Sequence, residues 1–280
     1  MVGLFNQIKT VILLGLLTGL LIGVGGLFGR GGLLIGLVFA LLMNFFAYWF
    51  SDRIVLMMYR AREISKKDNP KLHELIEDLC KKAGIPKPKI YLVPSDTANA
   101  FATGRNKKHA SVAVTEGILN LLNEKELKGV LAHEISHVKN RDILIATVAA
   151  TIAGVISYAA MMARWSLFFG RDEQRGIGNL ISLVVLAILA PLIAVIIQLA
   201  ISRSREYLAD ESGAKLSEPT GLANALDKLA KNTKIHPLRF GSEATSHLFI
   251  INPFSGKAFI SLFSTHPPLE ERIKRLKAMV

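Results

Sequence analysis

Two histidines and a glutamate in the segment LKGVLAHEISHVKNRDILIA, residues 127–146, have the types and spacing of a metal-dependent active site. On a helix, residues four apart project from one face, so His133 and His137 can present two imidazole nitrogens to one tetrahedral ion. Glu134 lies one residue along and can hold a water molecule without binding the metal. This H-E-x-x-H arrangement is that of zinc peptidases, in which the metal acidifies the attacking water and the glutamate moves its proton. A pair of ordinary structural histidines is the alternative.

A catalytic zinc ion needs a third protein ligand and an open fourth position. Glu206, in SRSREYLADESGA, is the best candidate because it begins the polar segment after the last apolar run, as His137 precedes the third run. Asp210, four residues later on the same helix face, can accept the distal N–H of a liganding histidine and fix its tautomer. A solvated helix face, with Arg203 and Arg205 as ion-pair partners, is the alternative. The pattern predicts one Zn²⁺ per chain.

Long apolar segments surround these residues in the chain. Hydrophobic residues make up 51% of the 280 positions, and the mean hydropathy is +0.37. A helix of about 20 residues crosses the hydrocarbon layer of a bilayer. We therefore predict four transmembrane helices in two hairpins, rather than soluble core helices or a cleaved signal peptide. The segments, each free of Asp, Glu, Lys and Arg, are 10–28, 31–50, 143–163 and 177–201.

Positive charge is concentrated beside the apolar segments. The net charge is +12, and basic residues follow the second and fourth segments and precede the third. Because Lys and Arg are enriched in cytoplasmic loops, residues 51–142 and 202–280 are predicted to face the cytoplasm. This distribution favours anionic headgroups over nucleic acid as the partner of the basic residues. Cys80 is the only cysteine, which excludes an intramolecular disulfide and is compatible with a reducing compartment.

These observations predict an integral membrane protein, mainly α with a small β-sheet, whose cytoplasmic catalytic domain is split. The first transmembrane hairpin takes residues 1–50, and the second takes 143–201. Residues 51–142 carry the H-E-x-x-H helix, and residues 202–280 carry the third ligand, so the two parts must join beside the membrane.

The local patterns place the motifs on individual elements. Residues 71–84 have the apolar spacing of an amphipathic helix, which Gly84 and Pro86 end. The strands are predicted at 89–93, 99–104 and 110–117, with the basic turn RNKKH between the last two. Asn123 and Glu126 form a helix-start pattern before the histidines. Helices are also predicted in SRSREYLADESGAKLS, TGLANALDKLAKNT and HPPLEERIKRLKAM.

The sequence resembles the HtpX family of membrane heat-shock endopeptidases, relatives of the CAAX prenyl endoprotease. The matching segments are NAFATG, LAHEISHVKNRD, SRSREYLAD and FSTHPPLEERI, in that order, with an apolar hairpin between the second and third. The resemblance covers most of the chain. It implies a zincin-like catalytic domain of the gluzincin type, with zinc on His133, His137 and Glu206 and with Glu134 as general base.

The resemblance also implies roles for three residues that spacing alone does not single out. It places Asn99 by a substrate-binding edge strand, to which an extended peptide can hydrogen-bond. It brings His266 to the site as a donor to the oxyanion, and Arg272 as a group that holds a substrate carbonyl or supports the site. Without the resemblance, Asn99 is interpreted as a turn residue, His266 as part of a helix-start turn and Arg272 as a solvated base.

Some polar residues near these motifs are assigned no catalytic role. Asp142 is expected to mark the boundary between helix and membrane, with a supporting role for a histidine left open. The four other histidines, which we expect to be structural or on the surface, are His73, His109, His236 and His247.

The function implied is a zinc endopeptidase of the cell inner membrane that cleaves damaged or misfolded membrane proteins from the cytoplasmic side, as part of a stress response. A prenyl-type endoprotease is one alternative, although four spans make a large lipid-accessible chamber hard to build. A non-enzymatic scaffold with a structural metal site is another. Glu134 argues against it, because a structural zinc needs no general base.

Overall fold

The computed structural model describes residues 2–26, 29–153, 203–238, 240–241, 243–254 and 267–280. Within these residues the fold is mainly helical, with one small mixed sheet. The helices are α1 (Val2–Gly26), α2 (Gly29–Trp49), α3 (Ser51–Met58), α4 (Pro70–Ala83), α5 (Glu116–Leu121), α6 (Glu124–Asn140), α7 (Ile143–Ala153), α8 (Arg203–Leu216), α9 (Pro219–Ile235) and α10 (Leu269–Lys277). The strands are β1 (Arg62–Glu63), β2 (Lys89–Val93), β3 (Ala100–Gly104) and β4 (Ala110–Thr115).

Helices α1 and α2 form the apolar hairpin predicted for the start of the chain. They approach closely at Gly36, where an added Cβ would lie 2.5 Å from the carbonyl oxygen of Leu21. Among the described residues, α2 is the helix that is long and apolar enough to cross a membrane. Only 11% of its apolar window is buried, so its surface is apolar and open, as a lipid-facing helix requires.

The structure describes only part of the other three predicted transmembrane helices. The apolar part of α1, Ile8–Gly23, is shorter than a full span, and the third segment begins as α7. The fourth segment, 177–201, lies outside the described residues. Helix α7 packs against the α1–α2 hairpin through a cluster of buried side chains formed by Leu13, Leu17, Ala47, Ile145, Val148, Ala149 and Ile152.

The sheet has the strand order β1-β2-β4-β3. Strands β2 and β4 are parallel, and β3 runs antiparallel to β4 at the edge of the sheet. The predicted strand at 110–117 ends earlier, at Thr115. The reason is local: the Thr115 hydroxyl oxygen accepts a hydrogen bond from the backbone N–H of Ile118, 3.2 Å away, and so caps α5.

Helix α6 lies at the centre of the part of the fold that contains the sheet. Asn123 and Glu126 form the predicted capping box, each side chain bonding to the other's backbone N–H at 3.0 Å. Val130, Leu131 and Ile135 on α6 are fully buried in the core that the helix shares with α4, the sheet, α8 and α9. Burial of each such side chain stabilises the folded state by roughly 1.5–3 kcal/mol. The histidines therefore project from a helix held on several sides.

Candidate metal centre

Three side chains from two helices converge on one point. The Nε2 atoms of His133 and His137, one helical turn apart on α6, lie 3.2 Å from each other. Glu206, in the first turn of α8, places its carboxylate oxygens 3.7 Å from Nε2 of His133 and 3.6 Å from Nε2 of His137. Around a tetrahedral ion with bonds of about 2.0–2.2 Å, ligand atoms are separated by roughly 3.3–3.6 Å. The three residues therefore fit a single metal ion.

A close helix crossing sets the spacing between the histidines and Glu206. Gly213 on α8 faces α6, and a Cβ added there would lie 2.9 Å from the backbone N and 3.0 Å from the Cα of His133. Those distances are shorter than ordinary contacts between such atoms. Only glycine lets α8 come this near to α6.

Each histidine also meets a carboxylate through its other ring nitrogen. Nδ1 of His133 lies 2.9 Å from Oδ1 of Asp210, although not in the linear alignment of a good hydrogen bond. Nδ1 of His137 forms a hydrogen bond of 3.2 Å with Asp142. Both Nε2 atoms are thereby directed to the metal position.

Asp142 reaches His137 because the backbone turns sharply after α6. Arg141 ends the helix in the left-handed conformation, with φ of +61°. The N–H of Asp142 then bonds back to the carbonyl of His137 at 3.0 Å. The supporting position that the sequence left open for Asp142 is the one the structure shows.

Arg272 is buried behind the ligands, with 1% of its surface exposed. Its Nε and Nη2 donate to the two carboxylate oxygens of Asp210 at 2.8 and 2.7 Å, and its Nη1 donates to the carbonyl of Ile250 at 3.0 Å. The guanidinium is therefore held by Asp210 and by the backbone of Ile250. The two predicted roles of Arg272, holding a substrate carbonyl and supporting the site, stay predictions.

The surroundings of Asn99 are also defined by the structure. The predicted edge strand is present as β3, and Asn99 directly precedes it. However, the Asn99 side chain is fully buried; its amide donates to the carbonyl of Ile251 at 2.7 Å and its oxygen accepts from the N–H of Ala100 at 3.1 Å. Asn99 therefore fastens the 250–251 segment beside β3, and its predicted contact with substrate stays a prediction. The predicted oxyanion donor, His266, lies outside the described residues.

Comparison with known proteins places this geometry in a family. The sequence profile of peptidase family M48 matches residues 66–280, which include all three metal-facing side chains. The chain belongs to peptidase family M48. This M48 chain is 56% identical over 278 residues to a protease HtpX homolog of Pyrococcus furiosus, covering 98% of the chain and 96% of the relative. It is also 56% identical over 280 residues to a protease HtpX homolog of Persephonella marina, covering 98% and 97%.

A solved structure of low sequence identity shares the fold. The crystal structure of S. mikatae Ste24p superposes with a TM-score of 0.54 at 19% identity. The match covers 98% of the M48 chain and 66% of Ste24p, so the chain spans slightly less than two thirds of that protein. Family membership, the curated relatives and the apolar α2 helix together make this chain a membrane-bound metalloprotease.

Glu134 of the M48 peptidase lies in the same cavity as the ligands. Glu134 is 2% exposed, and its carboxylate lies beside the backbone N–H of Ala102 on β3. Burial raises the pKa of Glu134 to about 8, against the opposing charge of His137. A carboxylate beside the metal position and touching the edge strand is well placed to exchange protons with a bound reactant.

The imidazoles and their carboxylates respond differently to burial. Burial lowers the pKa of His133, and the nearby Asp210 only partly offsets it. For His137, burial is outweighed by the hydrogen bond that its ring N–H donates to Asp142 and by the charge of Glu206, which raise the pKa to about 9. Burial would raise the pKa of Asp210, but the charge and hydrogen bonds of Arg272 hold it below its usual value.

Two residues lining the cavity were not predicted as part of the site. Arg205 is 9% exposed, and within the described part of the chain its Nη1 has no hydrogen-bond partner. His247 was predicted not to be a ligand; it lies at the wall of the cavity, and its Nε2 is 3.1 Å from the carbonyl oxygen of Ala146. The sequence signal for Arg205 was its place beside Glu206, whereas nothing local pointed to His247.

Proposed function

We propose that the chain is a zinc endopeptidase that cleaves misfolded or damaged membrane proteins on the cytoplasmic side of the cell membrane. The observation that carries this proposal is the triangle of His133, His137 and Glu206, with Glu134 in the same cavity. Two imidazoles and one carboxylate are a ligand set of catalytic zinc, and three protein ligands leave a fourth position open.

The protein groups would divide the reaction between them. When bound, zinc supplies Lewis-acid polarisation of the scissile carbonyl and acidifies the attacking water. Glu134 accepts the proton of that water on its carboxylate and delivers it to the nitrogen of the leaving amine. Asp210 and Asp142 keep the imidazoles oriented. We propose that Arg272 acts through Asp210, and we retain His266 as the proposed donor to the oxyanion.

Substrate would lie as an extended chain along β3. This strand is at the edge of the sheet, and the backbone of Ala102 reaches the Glu134 carboxylate. Pairing with backbone groups selects for extended conformation more than for side chains, which suits a protease that removes damaged proteins of many sequences. We propose no nucleic-acid partner, because much of the basic charge lies next to apolar segments.

A split catalytic domain with four spans remains our proposal for the topology. Residues 51–142 and 202–280 would join on the cytoplasmic side, and residues 143–201 would form the second hairpin. The tight contact between Gly213 and His133, on helices from the two parts, supports the joining. To test the side, Lys125→Cys in a Cys80→Ala background would be treated with a membrane-impermeant maleimide. We expect labelling in inside-out vesicles only; labelling of sealed cells would reverse the orientation.

The function is tested with the full chain purified in detergent and loaded with zinc. We expect cleavage of an unfolded, non-prenylated polypeptide, lost on chelation and restored by zinc. Glu134→Gln should bind zinc but cleave at least about a hundredfold more slowly, the scale of removing a general base. Glu124→Gln, the same change at an exposed position on the same helix, is the control.

Three results would each point elsewhere. Cleavage of a prenylated peptide alone would favour a prenyl-type endoprotease. Zinc binding without any cleavage would favour the structural scaffold. Full activity of Glu134→Gln would remove Glu134 from the role of general base.

A further inference from the structure

A second cavity, of about 410 Å³, lies on the other side of Ile143 from the metal centre, and Ile143 lines both cavities. Its walls include four basic side chains: Arg105, Lys107 and Lys108 from the turn between β3 and β4, and Arg141 from the end of α6. Its apolar wall comes from Ile143 and Leu144 at the start of α7. The cavity therefore combines a cationic rim with an apolar floor.

The cavity lies at the level where the chain leaves the apolar hairpin. The guanidinium carbon of Arg105 is 4.4 Å from the ring centroid of Trp49, the last residue of α2. Trp49 is 47% exposed, and tryptophan at the end of an apolar helix is typical of the membrane–water interface. On the other side, Ile143 begins the helix that packs on the hairpin. The rim thus stands at headgroup depth if α2 spans the bilayer.

Within the described part of the chain, none of the four cations lies within ion-pair distance of a carboxylate. Burial, and after it the charges of Arg141 and Lys139, lowers the pKa of Lys107. A gathering of like charges in a concave site is unfavourable unless an anion is bound there.

The backbone conformation at Arg141 is a second indication that the positive charge of this cavity has a function. It occupies the left-handed position after a helix, where glycine is the common residue because it has no side chain to strain. Here the position holds an arginine, whose side chain lines the cavity. The backbone accepts an unfavourable conformation, and the cavity gains a fourth cation.

We propose that this cavity binds the headgroup of an anionic phospholipid from the adjoining leaflet. The phosphate would meet the cationic rim, and the glycerol end of the lipid would meet Ile143 and Leu144. Basic pockets beside transmembrane helices on the cytoplasmic side bind acidic headgroups in this way. A nucleic acid would need a longer basic track away from apolar surface. The proposal depends on the membrane placement of α2 given under the proposed function.

Trp49 provides a probe at the site. The full chain with Trp165→Phe, which leaves Trp49 as the single tryptophan, would be reconstituted in phosphatidylcholine vesicles containing brominated phosphatidylglycerol or, separately, brominated phosphatidylcholine at equal mole fraction. Bromine quenches tryptophan fluorescence at short range. We expect phosphatidylglycerol to be enriched around Trp49 by at least about fivefold over its bulk fraction, the effect of a single cation near an anionic surface.

The decisive variant combines Lys107→Gln, Lys108→Gln and Arg141→Gln, and it should abolish the preference. The matched control is Lys81→Gln, Lys82→Gln and Lys125→Gln, which removes the same amount of positive charge. These lysines are exposed and lie near the first turns of α6. Helix α6 has 17 residues, so those turns are about 20 Å from Arg141. The control should keep the preference. Thermal melting of both variants verifies that each is folded.

Other outcomes overturn the proposal in distinguishable ways. Equal quenching by the two brominated lipids in the parent protein would show that no headgroup is selected. Loss of the preference in millimolar inorganic phosphate would identify a site for free anions instead of lipid. Absence of quenching by either lipid would show that Trp49 is not at the membrane, in which case the membrane placement itself fails.

Discussion

Gly213→Ala is a small change that should act directly on the metal centre. The added methyl carbon would lie 2.9 Å from the backbone N of His133 and 3.1 Å from the carbonyl carbon of Ala132. Comfortable contacts between such atoms are about half an ångström longer, and both neighbours are rigid helix backbone. Helices α6 and α8 must therefore separate by about 0.5 Å, because no flexible side chain can yield.

That separation is large on the scale of metal coordination. Ligand distances of a good site hold to within about 0.2 Å. Glu206 lies seven residues before Gly213, two turns along the same face of α8, so it moves with the displaced helix. Disturbing the groups that hold metal ligands costs about 10–100-fold in affinity, and we expect a loss of zinc affinity in this range.

The effect on folding should be smaller than the effect on zinc. Overpacking costs about 1–3 kcal/mol, whereas alanine stabilises a helix interior by about 0.5–1 kcal/mol relative to glycine. The net loss is then about 0–2.5 kcal/mol in the free energy of unfolding. Zinc affinity would be measured by competition with a chromophoric chelator, and stability by melting in the presence of a chelator.

A second glycine supplies the control. Gly221→Ala places a Cβ 2.6 Å from the carbonyl oxygen of Lys125, at the first turn of α6 and away from His133. It should strain the packing of α9 on α6 without reducing zinc affinity. If Gly213→Ala bound zinc as tightly as the parent protein, the α6–α8 contact could not be what sets the ligand spacing, and the reasoning would be refuted.

Other predictions concern the residues around the ligands. Asp210→Asn should destabilise the protein by about 3–5 kcal/mol, because it leaves the buried guanidinium of Arg272 without its anion. Combining Asp210→Asn with Arg272→Met should recover part of that loss in a chemical denaturation series; an additive loss would contradict the pairing. Asp142→Asn should lower zinc affinity about tenfold or more with little change in melting temperature, since the Asp142 side chain orients His137. For Glu134→Gln, isothermal titration should find one zinc ion per chain bound as tightly as before, and a weaker site would make Glu134 a ligand instead.

Local patterns predicted the elements that carry the site. The capping box of Asn123 and Glu126 and the four-residue spacing of the histidines depend on neighbours in the chain, so they survive in any fold that keeps α6. Glu206 followed from the order of apolar segments and polar helices. These are contacts within one helix, or between helices that the proposed second hairpin would bring together.

Long-range contacts could not be read in the same way. Arg272 meets Asp210 across 62 residues, and composition gives no sign that an arginine will be buried. Asn99 bonds to Ile251 across 152 residues, a contact that no local pattern predicts. The contact of Asp142 with His137 requires the left-handed backbone at Arg141. Arginine is unusual in that conformation, so the sequence did not predict the turn.

The burial of Arg272 has a consequence for the timing of activity during synthesis. A ribosome makes His133 and His137 first, Glu206 about seventy residues later, and Arg272 after a further 66. Until α10 docks, Asp210 is an anion without its guanidinium, and the histidine that it orients is held loosely. A chain in which α10 has not yet docked therefore holds His133 less firmly, so completion of the metal centre is coupled to the docking of a helix that carries none of its ligands.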